Sequence, residues 1–160
     1  MSKEVQLTKG FVALIDDDDF EEVNKYKWTA SEVRKGKFYA VRSVYKNGVR
    51  KTQYLHRFIM GVTDKKIQVD HINCNTMDNR KNNLRTCNNS QNSMNKKPQK
   101  NNTSGKSGVS FDKTYNKWHA RIKKDRKTIH LGYFTNLDDA IKARKQAEVK
   151  YFGEFRHKTK

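Results

Sequence analysis

The stretch Val69-Asp70-His71-Ile72-Asn73 decides how this sequence is interpreted, together with two asparagines that follow it, Asn83 and Asn92. Adjacent residues of a strand point to opposite faces, so Asp70 and His71 can serve one site only near a strand end or a turn. The sequence around Asn92, residues 90–95, predicts a short helix. A β-hairpin packed on that helix would bring the carboxylate and the helical asparagine together.

These residue types suit the hydrolysis of a phosphodiester. Such a reaction needs a base for the attacking water, a cation for the developing charge and a group that holds both. His71 is largely neutral and basic near pH 7, which suits a general base, although a lone histidine is more often structural. Asp70 and Asn92 offer hard oxygen ligands for a divalent ion, Mg²⁺ first and Mn²⁺ as an alternative.

The charge of the chain favours a polyanionic partner. The formal net charge is +18, and residues 108–160 alone carry 14 basic and 6 acidic side chains. Nucleic acid rewards such an excess through the release of counterions. Membrane surfaces also attract cations, but the sequence has no basic amphipathic helix with a bulky apolar face. We therefore expect double-stranded DNA as the partner and no membrane.

The remaining composition limits the class of protein. Only 34% of the 160 residues are hydrophobic, which favours small sub-domains over one large core. No apolar run reaches the length of a signal-peptide core or a membrane span. Cys74 and Cys87 are too few for a disulfide scaffold or a four-ligand structural zinc site. We expect a reduced, cytoplasmic protein, in the host cytoplasm if it is encoded by a phage or an intron.

Residues 1–54 are predicted to be a β-rich segment that contacts DNA. Strand patterns occur at residues 5–8, 11–15, 27–33, 38–45 and 50–55, and a short helix is expected from Phe20. The sequence Asn47-Gly48 is typical of a type I′ hairpin turn. Alternation places Arg42 on the face opposite Val41, where a basic ribbon can enter a major groove. The solvated outer face of a small sheet is an equal alternative.

Residues 108–155 are predicted to form three strands covered by one helix. The strands are expected at residues 108–112, 118–123 and 128–134, and Asn136 is expected to cap the helix. Alternation places Trp118, Ala120 and Ile122 toward the helix. The opposite face then carries Ser110, His119, Arg121, Lys123, Thr128 and His130.

Residues 96–107 are predicted to be a basic, flexible linker. Lysine, asparagine and a few other polar residues dominate it. The segment therefore cannot bury enough apolar surface to fold alone. Fully extended, residues 94–107 would span roughly 45 Å. We expect this segment to follow the DNA backbone or minor groove, with Lys97 among its contacts.

Residues 55–95 resemble the core of HNH endonucleases of the homing and phage type. The matching parts are Leu55-His56-Arg57, Val69–Asn73, Met77-Asp78-Asn79-Arg80, Asn83-Leu84-Arg85 and Asn92. The resemblance implies a ββα-metal fold with His71 as general base and with Asp70 and Asn92 as metal ligands. It also implies that Asn83 braces the loop between the two hairpin strands. One departure is Cys74, since relatives commonly place glycine in the turn after the histidine.

Three further residues of this segment have open roles. Arg57 and Arg80 can contact the scissile phosphate, and a plain backbone contact elsewhere on the DNA is equally compatible. His56 either supports the site or packs the entry of a helix.

Residues 108–155 resemble the plant APETALA-two/ethylene-response-factor domain, which also occurs fused to HNH nucleases. The resemblance rests on Gly108-Val109, Lys117-Trp118, Ala120, Ile122, Leu131-Gly132, Phe134, Ala140 and Ala147. It implies that the sheet enters the major groove, where Arg121 can donate bidentately to guanine and Lys123 to guanine or phosphate. Ser110, Thr128 and His130 depart from the arginines usual on this face, so no base preference is implied.

The sequence therefore predicts an α+β protein in which an N-terminal β-rich segment leads into a ββα-metal nuclease core at residues 55–95. A three-stranded antiparallel sheet packed on one helix follows. The predicted function is a monomeric, metal-dependent DNA endonuclease that leaves 5′-phosphate and 3′-hydroxyl ends. The alternatives are a non-catalytic DNA-binding regulator, which the joint presence of Asp70, His71 and Asn92 disfavours, and an RNA-binding protein, which lacks an aromatic stacking motif.

Overall fold

The computed structural model describes residues 1–96, 98 and 101–157, so the predicted DNA contact Lys97 lies outside the described residues. The chain divides after Asn88 into two compact units. Both units mix helices with small antiparallel sheets, in keeping with the predicted α+β class. Within the described ranges, no helix is long and apolar enough to cross a membrane.

The first unit contains three antiparallel sheets and two short helices. Its elements are β1 Ser2–Gln6, β2 Val12–Asp16, α1 Phe20–Asn24, β3 Thr29–Arg34, β4 Lys37–Lys46, β5 Val49–Tyr54, α2 Leu55–Ile59, β6 Gln68–His71 and β7 Leu84–Cys87. Strand β1 pairs with β2, β4 lies between β3 and β5, and β6 pairs with β7. The predicted N-terminal strands and the helix at Phe20 are present, with ends shifted by a few residues.

Local sequence explains the central hairpin of this unit. Asn47 and Gly48 both adopt left-handed backbone angles, with φ of 53° and 71°, as the predicted type I′ turn requires. The core beneath the sheet gathers Ile15, Val23, Trp28 and Leu55, all at most 2% exposed. The Trp28 indole N–H is satisfied because it donates to the Val23 carbonyl oxygen at 3.0 Å.

The second unit has the predicted three strands and one long helix. Its elements are α3 Asn89–Met94, β8 Val109–Asp112, β9 Lys117–Lys124, β10 Lys127–Phe134 and α4 Leu137–Phe152. The sheet order is β8-β9-β10, and all neighbours are antiparallel. The Asn136 side chain accepts from the Asp139 backbone N–H at 2.8 Å, so the predicted helix cap is confirmed.

Two features of this unit differ from a simple alternating sheet on an apolar helix. The register of β10 against β9 shifts between His130 and Gly132, which turns Tyr133 toward the side that carries His119. Helix α4 buries an ion pair, in which Arg144 Nε lies 3.1 Å from Glu148 Oε1. Arg144 Nη1 also donates to the Arg121 carbonyl oxygen at 2.7 Å. The helix is therefore anchored to the central strand by polar as well as apolar contacts.

The turn before β8 is more structured than its composition indicates. Ser104 is 5% exposed, and its hydroxyl donates to the Val109 carbonyl oxygen at 2.7 Å. The Asn102 side-chain amide donates to the Lys106 carbonyl oxygen at 3.3 Å. These contacts stabilise residues 102–106, within the segment predicted to be a flexible linker.

Candidate active site

The candidate site is built at the end of the β6–β7 hairpin. Asp70 lies opposite Arg85 and His71 opposite Leu84, and His71 is the last residue of β6. The chain then turns sharply, since the Cys74 backbone N–H donates to the His71 carbonyl oxygen at 2.9 Å. The expected position of Asp70 and His71 at a strand end is therefore observed.

Asn83 cross-links the two ends of the loop between these strands. Its side-chain oxygen accepts from the Asn73 backbone N–H at 3.0 Å, and its side-chain nitrogen donates to the Asp78 carbonyl oxygen at 2.7 Å. Its own carbonyl oxygen accepts from the Ile72 N–H at 2.8 Å. Because Asn83 is only 6% exposed, losing these contacts would leave buried polar groups unpaired. This geometry is what a bracing role for Asn83 requires.

The same loop is held by the carboxylate of Asp78, to which the sequence analysis gave no role. Asp78 is 2% exposed and accepts from the Arg80 guanidinium at 2.7 and 2.8 Å and from the Asn73 side chain at 2.9 Å. The hydrogen bond with Arg80 holds the pKa of the Asp78 carboxyl below its ordinary value. Arg80 thus has a bidentate partner inside the protein, and its predicted contact with DNA stays a prediction.

His71 is buried at the hairpin end and is held by an amide. It is 5% exposed, and its Nε2 lies 3.2 Å from Asn79 Oδ1. Burial lowers the pKa of His71, against the opposing effect of the Asn79 hydrogen bond. The imidazole is therefore neutral at physiological pH, which is the state that can accept a proton.

Aromatic rings surround His71 on one side. The ring of His56 packs edge-on at 5.0 Å between centroids, and the ring of Tyr39 lies at 6.1 Å. Tyr54 packs in turn against His56 at 5.4 Å. His56 is 7% exposed, and burial, followed by the neighbouring His71 and Arg57, lowers its pKa to about 3. His56, whose role the sequence left open, therefore places a neutral ring against His71.

Asp70 is paired with an arginine from the opposite strand. Arg85 Nη2 and Nε lie 2.7 and 3.1 Å from Asp70 Oδ2, and both side chains are 11% exposed. Sequence reasoning gave Arg85 no role, although its place across the hairpin from Asp70 would have indicated the pair. The ion pair orients the carboxylate within the hairpin.

The donor chemistry of the predicted ligands fits a divalent ion. Mg²⁺ typically takes one or two carboxylates and keeps several waters, so a single carboxylate with an amide oxygen is a sufficient protein set. In the described part of the chain, no three His, Cys, Asp or Glu side chains are grouped for metal binding. Asn92 lies in α3, which belongs to the second unit, so its partnership with Asp70 stays a prediction.

Two other arginines predicted to contact DNA have partners within the first unit. Arg57 donates to the carbonyl oxygens of Ile67 and Asp64, both at 2.7 Å, and so closes the loop after α2. The Arg42 guanidinium lies 3.4 Å from the centroid of the Tyr26 ring, and its Nε donates to the Gln53 side chain at 2.7 Å. Their contact with DNA remains a prediction.

The second unit presents the predicted polar face of its sheet. The register pairs Ser110 with His119, Arg121 with His130 and Lys123 with Thr128, so all six share the side opposite buried Ala120 and Ile122. His119 Nε2 lies 2.8 Å from His130 Nδ1.

Sequence alternation missed the aromatic residues of this face. The sequence assigned no face to Tyr133, and the shifted register of β10 stacks its ring on His119, with centroids 4.9 Å apart. Tyr115 lies 4.9 Å from Tyr133 and is 62% exposed. The face therefore combines basic, histidine and tyrosine side chains, which adds aromatic surface that the sequence analysis did not count.

Comparison with known proteins bears on the first of these two regions. Residues 54–94 match a family model described as HNH endonuclease. Neither a search of curated proteins nor a search of solved structures found a match. The matched segment runs from the end of β5 to the end of α3 and includes His71, Asp70 and Asn83. Residues 54–94 of this chain are therefore similar to an HNH endonuclease domain.

Proposed function

We propose that this protein is a metal-dependent, site-directed DNA endonuclease of the homing or phage type that acts as a monomer. The observation that carries the proposal is the buried, neutral His71 beside Asp70 at the end of a braced hairpin, within the segment that matches HNH endonucleases. The net charge of +18 supports a polyanionic substrate.

His71 acts as the general base in this proposal. It removes a proton from the water that attacks phosphorus in line. The P–O3′ bond breaks, and the leaving 3′ oxygen takes a proton from solvent water, which gives 5′-phosphate and 3′-hydroxyl ends. The rings of Tyr39 and His56 keep bulk water from one side of the imidazole and so favour its neutral form. Asn83 fixes the loop that follows His71, so that the base stays at the hairpin end.

Asp70 and Asn92 are the residues that would hold the ion, most simply Mg²⁺, with Mn²⁺ as an alternative. When bound, the ion supplies electrostatic stabilisation of the negative charge that develops on the phosphate oxygens. The Arg85 guanidinium orients the Asp70 carboxylate in the strand.

The second unit is proposed to bind the target site with the sheet face that carries Arg121 and Lys123. Its resemblance to the APETALA-two/ethylene-response-factor domain supports this assignment, as does the excess of basic residues after residue 107. The sheet places both side chains on one exposed face beside His119 and His130, where base edges in a major groove can be reached.

The direct test is cleavage of supercoiled plasmid DNA by the purified full chain with Mg²⁺, with and without EDTA. We expect His71→Ala to lower the cleavage rate by about 10²- to 10⁴-fold, with DNA affinity within a factor of about two. His157→Ala, which removes a histidine of the second unit, is the matched control and should cut like the wild type.

Two results would contradict the proposal. Full activity in His71→Ala would place the chemistry elsewhere. DNA binding by the wild type without cleavage in either Mg²⁺ or Mn²⁺ would instead support a non-catalytic DNA-binding regulator.

A further inference from the structure

We propose that Asn79 is a positioning residue that fixes the neutral tautomer of His71, with hydrogen on Nε2 and the lone pair on Nδ1. The catalytic consequence of this inference rests on the proposed function, whereas the tautomer itself can be measured without any cleavage.

The backbone of Asn79 is locked to the first sheet of the unit. Its N–H donates to the Leu14 carbonyl oxygen at 2.7 Å, and the Leu14 N–H donates to the Met77 carbonyl oxygen at 2.8 Å. These two bonds attach residues 77–79 to strand β2. Asn79 is 1% exposed, so its side chain has no room to exchange its partners for water.

The orientation of the Asn79 amide follows from its acceptors. Its nitrogen Nδ2 lies 3.1 Å from the Met77 carbonyl oxygen and 3.5 Å from the Thr76 carbonyl oxygen. Carbonyl oxygens only accept hydrogen bonds, so a flipped amide would set Oδ1 against two other oxygens. The amide nitrogen must therefore face these carbonyls, and Oδ1 must face His71.

The position of the imidazole hydrogen follows in turn. Asn79 Oδ1 lies 3.2 Å from His71 Nε2, and this oxygen can only accept. Nε2 must then carry the hydrogen, because its partner can only accept. A neutral imidazole has one donor and one acceptor nitrogen, so Nδ1 is the acceptor. The lone pair that takes the proton of the attacking water is accordingly on Nδ1.

This arrangement also serves the reaction. As the O–H bond of water breaks, its electron pair forms the new O–P bond, the proton moves to Nδ1, and the 3′ oxygen leaves with the electron pair of the old P–O bond. The imidazole becomes cationic, and its Nε2–H bond to Asn79 becomes charge-assisted and stronger. Asn79 therefore stabilises the protonated base without carrying a charge of its own.

The primary test is the nitrogen spectrum of the imidazole in the intact ¹⁵N-labelled protein at pH 8. Long-range ¹H–¹⁵N correlations, assigned with His71→Ala, should give a protonated-type shift at Nε2 and an unprotonated-type shift at Nδ1. The opposite pattern, or two averaged shifts, would overturn the inference in the wild type itself, whatever any variant does.

The second test is Asn79→Leu, a near-isosteric change, with Asn82→Leu as the matched control in the same loop, where Asn82 is exposed. We expect Asn79→Leu to average the two ring shifts and to lower the cleavage rate by about tenfold or more at unchanged DNA affinity. Asn82→Leu should change neither. An Nε2–H ring that persists in a folded Asn79→Leu protein would show that another group sets the tautomer.

The two proposals fail separately. An Nε2–H ring in a protein that cuts no DNA would support the tautomer assignment and remove the proposed function. Metal-dependent cleavage by a protein whose His71 ring carries its hydrogen on Nδ1 would support the proposed function and remove the tautomer assignment.

Discussion

Acidification should destabilise the first unit through His56. Burial lowers the pKa of this histidine to about 3, against an ordinary value of 6.5. The unfolded chain therefore binds a proton as the pH falls below 6.5, whereas the folded chain does not until near pH 3. The folded state therefore loses stability relative to the unfolded state as the pH falls through this window. Above pH 6.5 His56 is unprotonated in both states, so its contribution no longer changes with pH.

The magnitude follows from the width of the window. Each pH unit below 6.5 costs about 1.4 kcal/mol, so His56 alone should lower the free energy of unfolding by about 2 kcal/mol at pH 5. This is a large fraction of the stability of a small domain. His71 is also buried with a lowered pKa, so the total loss in the wild type should exceed the share of His56.

The assay is urea unfolding at pH 7.5, 6.5, 5.5 and 5.0, followed by the fluorescence of Trp28 in a Trp118→Phe background, so that only the first unit is reported. His56→Phe keeps an aromatic ring in the same place but cannot take a proton. It should lose about 2 kcal/mol less than its parent between pH 7.5 and pH 5.0. His130→Gln, which changes an exposed histidine, should follow the parent.

Equal losses in His56→Phe and its parent would refute the argument. They would mean that His56 is protonated in the folded state. Its ring would then be hydrated and not enclosed by the surrounding aromatic side chains.

Three further predictions concern single positions. Cys74 has a left-handed backbone with φ of 61°, so Cys74→Gly should raise the free energy of unfolding by about 0.5–1 kcal/mol in the same urea assay. Gly108 has φ of 81°, and an added Cβ would lie 2.4 Å from the Arg121 carbonyl oxygen, so Gly108→Ala should destabilise the second unit by more than about 1 kcal/mol, measured by Trp118 fluorescence. Arg121→Ala should cost about 1–3 kcal/mol of binding at one base pair in competition assays, whereas an equal loss on every sequence would make Arg121 a phosphate contact.

Local patterns were sufficient to predict most of the elements. The turn at Asn47-Gly48 and the cap at Asn136 depend on neighbouring residues only, and both are present. The shifted register of β10 was not predictable in this way. Alternation assigns a face by counting residues, so one irregularity near Gly132 puts Tyr133 on the face opposite to the one that counting alone would give.

The candidate site could be proposed from the sequence where its residues form a compact pattern. Asp70, His71 and Asn83 were found from their order, and the structure places them at one hairpin end and its loop. Arg85 and Asn79, which contact Asp70 and His71, were given no role, because these contacts depend on strand register and on a bond from β2. Positive charge alone was an equally ambiguous sign of DNA contact. Arg42, Arg57 and Arg80 were interpreted as DNA contacts, but each also has a partner within the chain.

The asparagine-rich composition of the hairpin loop shows why composition alone cannot separate an ordered loop from a linker. Within residues 72–83 few side chains are apolar, so burial contributes little to fixing this loop. Amides take over that role. Asn73 accepts from the Asn75 backbone N–H at 2.8 Å, and Asn75 accepts from the Met77 N–H at 3.1 Å. Across the loop, Asn79 contacts His71 and Asn83 accepts from the Asn73 N–H. Each bond contributes only about 1 kcal/mol, but every buried amide left unpaired would cost more than that. The loop is therefore held by the penalty for breaking its polar network, and a network of this kind depends on which positions carry asparagine, not on how many there are.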